Sequence, residues 1–175
     1  MDSKLKRAPG LYLTGFMGSG NSTIAEQLAD RLGWYFVDLD SEIEQTQQDT
    51  IAHIFESLGE PEFRRIEAAA LRSVVTKVER GMPSVVALGG GTFVQPANAA
   101  LLDDHGISIW LDCPFETIEA RIDDPASRPL ARDKEAFRKL YEERRAAYGQ
   151  AQYRIDAGCN IEQAVELILE LPIWK

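Results

Sequence analysis

Hydrophobic positions in this chain form short apolar runs, separated by longer stretches in which apolar residues recur with helical spacing. The short runs predict five β-strands, at residues 11–14, 35–38, 84–88, 107–111 and 153–156. The periodic stretches predict helices at residues 22–32, 51–58, 60 to about 80, 96–102, 114–122, 135–148 and 161–171. Gly33, Thr50 and Gly59 stand at predicted helix ends, where glycine and threonine are typical capping residues.

The alternation of strands and helices indicates an α/β fold in which helices cover both faces of a parallel sheet. Val85–Leu88 is apolar throughout, as is typical of a buried parallel strand. The length of 175 residues predicts one domain over residues 1–175. Ligands of such sheets bind beyond the carboxyl ends of the strands, and the candidate residues below follow those ends.

A glycine-rich loop at residues 15–23 follows the first strand and opens the first helix. Gly15, Gly20 and Ser22 fit the phosphate-loop pattern G-x-x-x-x-G-K-[ST], but Asn21 stands where the pattern has lysine. Backbone N–H groups of such a loop surround phosphate oxygens, and the Ser22 hydroxyl suits Mg²⁺. Thr23 is a second candidate for the phosphates or a helix-start residue. The alternative is a glycine-rich turn without a ligand.

Two carboxylates close the second predicted strand, Asp38 and Asp40. Strand alternation would place both on the same side of an extended chain, near the phosphate loop. One could organise Mg²⁺ and the other could accept a proton from a substrate hydroxyl. The alternative is a turn in which Asp40 or Ser41 caps a helix.

Several arginines lie on predicted helices. Arg64 and Glu67 are three residues apart, so they share a helix face and can pair. A guanidinium held by a carboxylate suits capture of a ligand carboxylate, and Arg144 offers a second cation. The alternative for both arginines is a solvated charged face.

The segment from Asp123 to Lys134 is rich in proline and charge, and it predicts a mobile lid rather than a core element. Arg128 in this segment could neutralise a transferring phosphoryl group. Arg121, just before it, could stack on an adenine ring or lie on a helix surface. Gly89–Gly91, after the third strand, would allow backbone amides to approach a ligand, or would form a tight turn.

The composition and net charge of the chain argue against some classes of binding partner. The chain has 28 acidic and 19 basic residues, a net charge of −9, so we expect no nucleic-acid partner. No apolar run approaches the length of a membrane span, and residues 1–10 do not resemble a signal peptide, so we expect no membrane partner. Cys113 and Cys159 are not at metal-ligand spacing, which favours free thiols in a reducing compartment.

The motifs G-F-M-G-S-G-N-S-T, D-L-D, E-F-R-R-I-E, G-G-G, R-P-L and E-R-R-A-A-Y, in this order, resemble those of the shikimate kinases, a P-loop family related to nucleoside monophosphate kinases. The resemblance extends from Leu11 to about Ile155. It implies a three-layer fold with a five-stranded parallel sheet in the order 2-3-1-4-5. It also implies a monomeric cytoplasmic enzyme that uses ATP and Mg²⁺ to phosphorylate the 3-hydroxyl of shikimate.

The resemblance implies roles for single residues at the substrate end. Asp40 would contact the shikimate hydroxyls and act as the base, within a substrate-binding region at about residues 40–67. Arg64 and Arg144 would clamp the shikimate carboxylate. The segment of Gly89, Gly90 and Gly91 would line the ring.

At the nucleotide end, the resemblance implies a lid at about residues 123–134 that brings Arg128 to the phosphates. Arg121 would face adenine, and Ser22 and Asp38 would serve Mg²⁺. The remaining nucleotide contacts would come from the loop, at Gly15, Gly18, Ser19, Gly20, Asn21, Ser22 and Thr23.

Asn21 is the main departure from the family pattern, because a neutral amide replaces a cation at the site of phosphoryl transfer. Loss of one charge-assisted phosphate contact costs roughly 2–4 kcal/mol, or ~30- to ~1000-fold in rate. Arg128, Arg132 or Lys134 could substitute. Two alternatives stay open: another small-molecule kinase of this fold, such as a gluconate-type kinase, and a non-catalytic module that binds shikimate or nucleotide.

Overall fold

The computed structural model describes residues 9–122, 133–158 and 160–174. Its five strands form one parallel sheet in the order β2-β3-β1-β4-β5, which confirms the predicted fold class and strand order. The strands are β1 (Gly10–Thr14), β2 (Tyr35–Asp38), β3 (Ser84–Ala87), β4 (Ile107–Asp112) and β5 (Tyr153–Asp156).

Eight α-helices occur in the described part of the chain, and a 3₁₀ turn at Pro172–Trp174 follows the last of them. The helices are α1 (Asn21–Leu32), α2 (Leu39–Gln47), α3 (Ile51–Leu58), α4 (Glu60–Glu79), α5 (Pro96–His105), α6 (Phe115–Arg121), α7 (Lys134–Tyr148) and α8 (Ile161–Leu169).

The central strand β1 is buried along its whole length and separates two apolar clusters. Leu11 and Leu13 point into the cluster formed with α1 and α8, whereas Tyr12 points into the cluster formed with α2, α4 and α7. This alternation explains why β1 carries large apolar residues at successive positions. The sheet is therefore the middle of three layers.

The register between β1 and β3 brings two loops together. Leu13 is paired with Ala87, and the Leu88 amide donates to the Leu13 carbonyl over 3.0 Å. The chain segments that leave the two strands therefore emerge side by side at one edge of the sheet. One segment is the loop at residues 15–23 and the other contains Gly89–Gly91.

Strand β2 ends at Asp38, too early for Asp38 and Asp40 to lie in one extended strand. Its last residue, Asp38, pairs with Ala87, and α2 begins at once with Leu39. The Asp38 carboxylate accepts from the Ser41 amide at 3.2 Å and caps this helix. The expectation that Asp38 and Asp40 share one side of an extended chain was therefore wrong, because Asp40 lies in the first helical turn.

A buried carboxylate anchors α7 to the sheet. Asp112, at the end of β4, accepts from Arg145 on α7 at 2.6 Å and from the Arg154 Nε atom on β5 at 2.7 Å. Burial opposes ionisation of Asp112, but the two arginines outweigh it and lower its pKa. The Tyr141 hydroxyl adds a bond to the Cys113 carbonyl at 2.7 Å. These contacts fix the position of the helix that carries Arg144.

Cys113 is buried and forms no disulfide among the described residues, and its Sγ atom accepts from Arg121 Nη1 at 3.7 Å. Cys159 lies outside the described residues. Of the predicted lid, residues 123–132 lie outside the described residues, and Lys134 begins α7. None of the helices in the described ranges is long and apolar enough to cross a membrane.

The burial of α1 against the sheet predicts how much its apolar side chains contribute to the free energy of unfolding. Leu28 is fully buried between this helix and the sheet, so Leu28→Ala should lower the free energy of unfolding by about 2–5 kcal/mol in urea denaturation. Leu167 on α8 is 37% exposed, and Leu167→Ala should cost less than about 1 kcal/mol. Equal losses in the two variants would contradict the described packing of α1.

Candidate active site

A cavity of about 470 Å³ opens at the carboxyl ends of β1 and β3. Its walls are the loop at residues 15–23, Asp40 on α2, Gly89 and Gly90 after β3, and Arg121 on α6. Three motifs that are far apart in the sequence therefore meet in one cavity. The topology explains this, since β1 and β3 are neighbours in the sheet although about 70 residues separate them.

The loop has the conformation expected of a phosphate cradle. Gly18 and Gly20 have φ angles of 81° and 85°, in the left-handed region that favours glycine. The Ser19 amide donates to the Phe16 carbonyl at 3.1 Å, and α1 begins at Asn21. Amides at the N-terminus of α1 therefore border the cavity, where they can attract an anion.

The Asn21 side chain is turned towards the sheet. Its Nδ2 group donates to the carbonyl of Leu13 at 3.0 Å and to the carbonyl of Leu88 at 2.8 Å. The Oδ1 atom is buried and has no hydrogen-bond partner among the described residues. Both N–H groups of the amide are therefore engaged by the main chain, and neither is directed at a phosphate.

Ser22 and Asp38, the two residues proposed for Mg²⁺, lie in contact with each other. The Ser22 hydroxyl donates to the Asp38 Oδ2 atom over 2.7 Å. A hydroxyl and a carboxylate are hard oxygen ligands, the type that Mg²⁺ prefers. Since Oδ1 of Asp38 caps α2 while Oδ2 faces Ser22, the carboxylate has a fixed orientation.

Asp40 is the carboxylate that lines the cavity among the described residues, and its pKa is raised. Burial, followed by the negative charges of Asp38, Glu67 and Glu44, raises the pKa of Asp40 to about 6. Arg64 acts in the opposite direction but does not cancel these effects. A carboxylate with this pKa is a better proton acceptor than an ordinary aspartate and is still mainly ionised at pH 7.

Arg64 and Glu67 on α4 form the predicted ion pair. Arg64 Nη1 donates to both carboxylate oxygens of Glu67, at 3.0 and 3.2 Å. Glu67 is almost completely buried and also accepts from the Thr92 hydroxyl at 2.9 Å. Arg64 Nη2 also donates to Glu60 at 3.4 Å, so two carboxylates hold this guanidinium, while its buried Nε atom has no hydrogen-bond partner in the described ranges.

Each of the three glycines after β3 faces one predicted substrate-binding side chain. A Cβ atom at Gly89 would lie 2.8 Å from the Asp40 Oδ1 atom, and a Cβ at Gly90 would lie 3.2 Å from Arg144 Nη1. A Cβ at Gly91 would lie 2.6 Å from Arg64 Nη1. The absence of side chains at these positions lets one carboxylate and two guanidiniums approach the same stretch of backbone.

Sequence reasoning missed two residues that hold this stretch in place. The buried Tyr148 hydroxyl donates to the Gly90 carbonyl at 2.5 Å, and the Asn98 amide donates to the Thr92 carbonyl at 3.0 Å. Burial raises the pKa of Tyr148 to about 12, so it remains a donor at neutral pH. Tyr148 ends the E-R-R-A-A-Y motif, which is the signal that could have revealed it, but no sequence signal marks Asn98.

Arg121 is the one cationic side chain that lines the cavity in the described part of the chain. It donates to the Gly18 carbonyl at 3.1 Å, so it lies against the phosphate loop. Arg128 and Arg132 lie outside the described residues. Lys134 pairs with Glu119 at 3.3 Å on the surface.

Comparison with known proteins gives a consistent result. A family model described as shikimate kinase matches residues 17–171. The chain is 38% identical over 161 residues to a shikimate kinase of Persephonella marina, with 91% of this chain and 96% of that protein covered.

Solved structures agree with the sequence comparison. A shikimate kinase from Acinetobacter baumannii, in complex with shikimate, is 32% identical and superposes with a TM-score of 0.85 over 95% of this chain and 93% of that one. A shikimate kinase from Aquifex aeolicus is 33% identical, with a TM-score of 0.80 over 91% of this chain and 94% of that one.

The elevated pKa of Asp40 predicts a pH-dependent cost to stability. A carboxyl group whose pKa is raised by folding destabilises the folded state above about pH 6, and this cost disappears as pH falls towards 4. Asp40→Asn should therefore stabilise the protein by roughly 3 kcal/mol at pH 8 and by much less at pH 4. Urea denaturation across this pH range measures the difference. Glu26→Gln, an exposed control on α1, should change stability by less than about 0.5 kcal/mol at either pH.

Proposed function

Because the chain belongs to the shikimate kinase family, we propose that it transfers the γ-phosphoryl group of ATP to the 3-hydroxyl of shikimate. The observation that carries this proposal is the alignment of Asp40, Arg144 and Arg64 along the segment Gly89–Gly91. This arrangement presents one proton acceptor and two carboxylate-binding cations beside the phosphate loop. Shikimate carries both a carboxylate and hydroxyl groups, so it matches this set.

At the nucleotide end, the loop amides and the N-terminus of α1 hold the phosphates. Arg121 lies against the loop, and its guanidinium would stack on the adenine ring. Ser22 and Asp38 would hold Mg²⁺, which neutralises charge on the phosphates when it is bound. Arg128 would reach the phosphates from the segment at residues 123–134.

At the substrate end, Arg64 and Arg144 bind the shikimate carboxylate and so orient the ring. Glu67 prevents Arg64 from rotating away, because it is buried and holds Nη1 through both of its oxygens. Asp40 then accepts the proton of the 3-hydroxyl as the hydroxyl oxygen attacks the γ-phosphorus. The bond from the γ-phosphorus to the oxygen that bridges it to the β-phosphorus breaks, and ADP leaves. A pKa of about 6 suits this step, since the group is ionised at neutral pH and still basic.

The proposed reaction lacks a lysine at position 21. The Asn21 amide is neutral and donates to two carbonyls, so the developing charge on the phosphoryl group loses one fixed cation. We therefore infer that turnover is slower than in an otherwise identical site with lysine. We further propose that the enzyme acts as a monomer in the cytoplasm, where ATP is available and a thiol such as that of Cys113 stays reduced.

Two other functions stay testable alternatives. A gluconate-type kinase would also use a carboxylate-binding pocket, but the family assignment favours shikimate. A non-catalytic module that binds shikimate or nucleotide is favoured by Asn21. The set of Asp40, Arg64 and Arg144 argues against this module, because a binding protein has no need of a base with an elevated pKa.

The proposed reaction makes a prediction about turnover. With ATP and Mg²⁺, shikimate should stimulate ADP release by the protein, and Asn21→Lys should raise kcat by ~30- to ~1000-fold. Phosphorus NMR of the product should show a phosphate ester at the 3-oxygen. Asp40→Asn in the Asn21→Lys background is the negative control.

Other outcomes separate the alternatives. ADP release with gluconate but not with shikimate would identify the gluconate-type kinase. Calorimetric binding of shikimate with no turnover in either form would support the non-catalytic module and sink the kinase proposal.

A prediction for the substrate end tests the contact between Gly91 and Arg64. Gly91→Ala places a methyl group against the guanidinium and should raise KM for shikimate about tenfold or more, with a smaller change in KM for ATP. Gly149→Ala is the matched control, because its Cβ would meet its nearest neighbour at an ordinary 3.5 Å. If KM for ATP rises and KM for shikimate does not, Gly91 belongs to the nucleotide side instead.

A further inference from the structure

We propose that Asn21 is a positioning residue that connects the two halves of the site, holding the shikimate-binding segment Gly89–Gly91 against the phosphate loop. This inference rests on the proposed function for the identity of the ligand. It gives Asn21 a role that differs from a weakened phosphate contact. On this view, position 21 acts on shikimate binding although its side chain does not reach the ligand.

The two hydrogen bonds of Asn21 extend the pairing of the central strands. Leu13 and Ala87 are the last paired residues of β1 and β3, and Leu88 N donates to the Leu13 carbonyl. The Asn21 amide then bonds both Leu13 O and Leu88 O, at 3.0 and 2.8 Å. A single side chain therefore bridges the two strand ends at the point where both loops leave the sheet.

The orientation of this amide is determined by its partners. Both acceptors are carbonyl oxygens, so only the NH₂ group can face them, and the Oδ1 atom must point away. An aspartate at position 21 would place a carboxylate oxygen against two carbonyl oxygens. A substitution of nearly identical size can therefore convert two attractive contacts into two repulsive ones.

One of the two carbonyls that Asn21 binds, that of Leu88, directly precedes the shikimate-binding segment Gly89–Gly91. Leu88 is followed by Gly89, which faces Asp40, and then by Gly90, which faces Arg144 and is held by Tyr148. The spaces at these glycines are narrow, with Cβ positions 2.8 and 3.2 Å from the facing side chains. A shift of Leu88 by a few tenths of an ångström would therefore change how both side chains meet a ligand.

The two roles considered for Asn21, a phosphate contact and a bridge between strands, predict different affinities for shikimate when no nucleotide is bound. A direct phosphate contact matters only when nucleotide is bound. A bridge between the strands matters without nucleotide as well. The binary dissociation constant of shikimate, measured by calorimetry in the absence of ATP and ADP, distinguishes the two.

The test compares Asn21→Ala and Asn21→Asp with the unchanged protein. Loss of two main-chain hydrogen bonds should weaken binary shikimate binding by about 5- to 30-fold in Asn21→Ala, and by more in Asn21→Asp. Hydrogen exchange of the backbone amides at residues 88–91 should accelerate in both variants. Trp174→Phe is the matched control for general destabilisation, because it removes a side-chain N–H bond of 2.9 Å to the Ile168 carbonyl, away from the site.

Each result decides between the roles. Unchanged binary affinity and unchanged exchange in Asn21→Ala, with altered ATP binding or kcat, would overturn the bridge and leave a phosphate contact. Equal effects in Trp174→Phe would overturn it too, since they would reflect lower stability alone. If the unchanged protein fails to bind shikimate, the proposed function fails, while faster exchange at residues 88–91 would still establish the bridge.

Discussion

The parallel pairing of β1 with β3 is the constraint on which the rest of the molecule depends. It places Leu13 opposite Ala87, so the phosphate loop and the segment Gly89–Gly91 leave the sheet at the same level. Burial of β1 on both faces fixes this register, because a shift by one residue would exchange the side chains of the two apolar clusters. This strand order therefore brings the phosphate loop and the segment Gly89–Gly91 together at one cavity.

The fold was predictable from local patterns because the apolar runs of the strands are short and clearly bounded. All five strands form within a residue or so of the predicted limits, and helices such as Ile51–Leu58 begin at the expected cap. Helix α2 was expected only as the alternative at Asp40 or Ser41, because it follows β2 without a glycine or proline, and the residue that caps it is Asp38. The Arg64–Glu67 pair was readable from spacing, whereas the bond from Tyr148 to Gly90 joins residues 58 positions apart.

The absence of a cation at position 21 also affects the acidity of the site. A lysine in this cavity would favour the ionised form of Asp40 and lower its pKa. With the neutral Asn21, Arg64 is the one positive charge among the causes acting on Asp40, and burial and the neighbouring carboxylates dominate. The neutral Asn21 thus weakens charge stabilisation at the phosphoryl group, but it leaves Asp40 a stronger acceptor for the proton of the substrate hydroxyl.

The three consecutive glycines restrict how this site can evolve. Each faces a different charged side chain, so any single replacement in the segment displaces one of Asp40, Arg144 or Arg64. A larger residue at any of positions 89–91 therefore requires the end of one charged side chain to move away from the backbone. A charged side chain on a facing helix can instead be shortened or exchanged while the glycine backbone stays unchanged, and this is the less disruptive route to a site for other acids or alcohols.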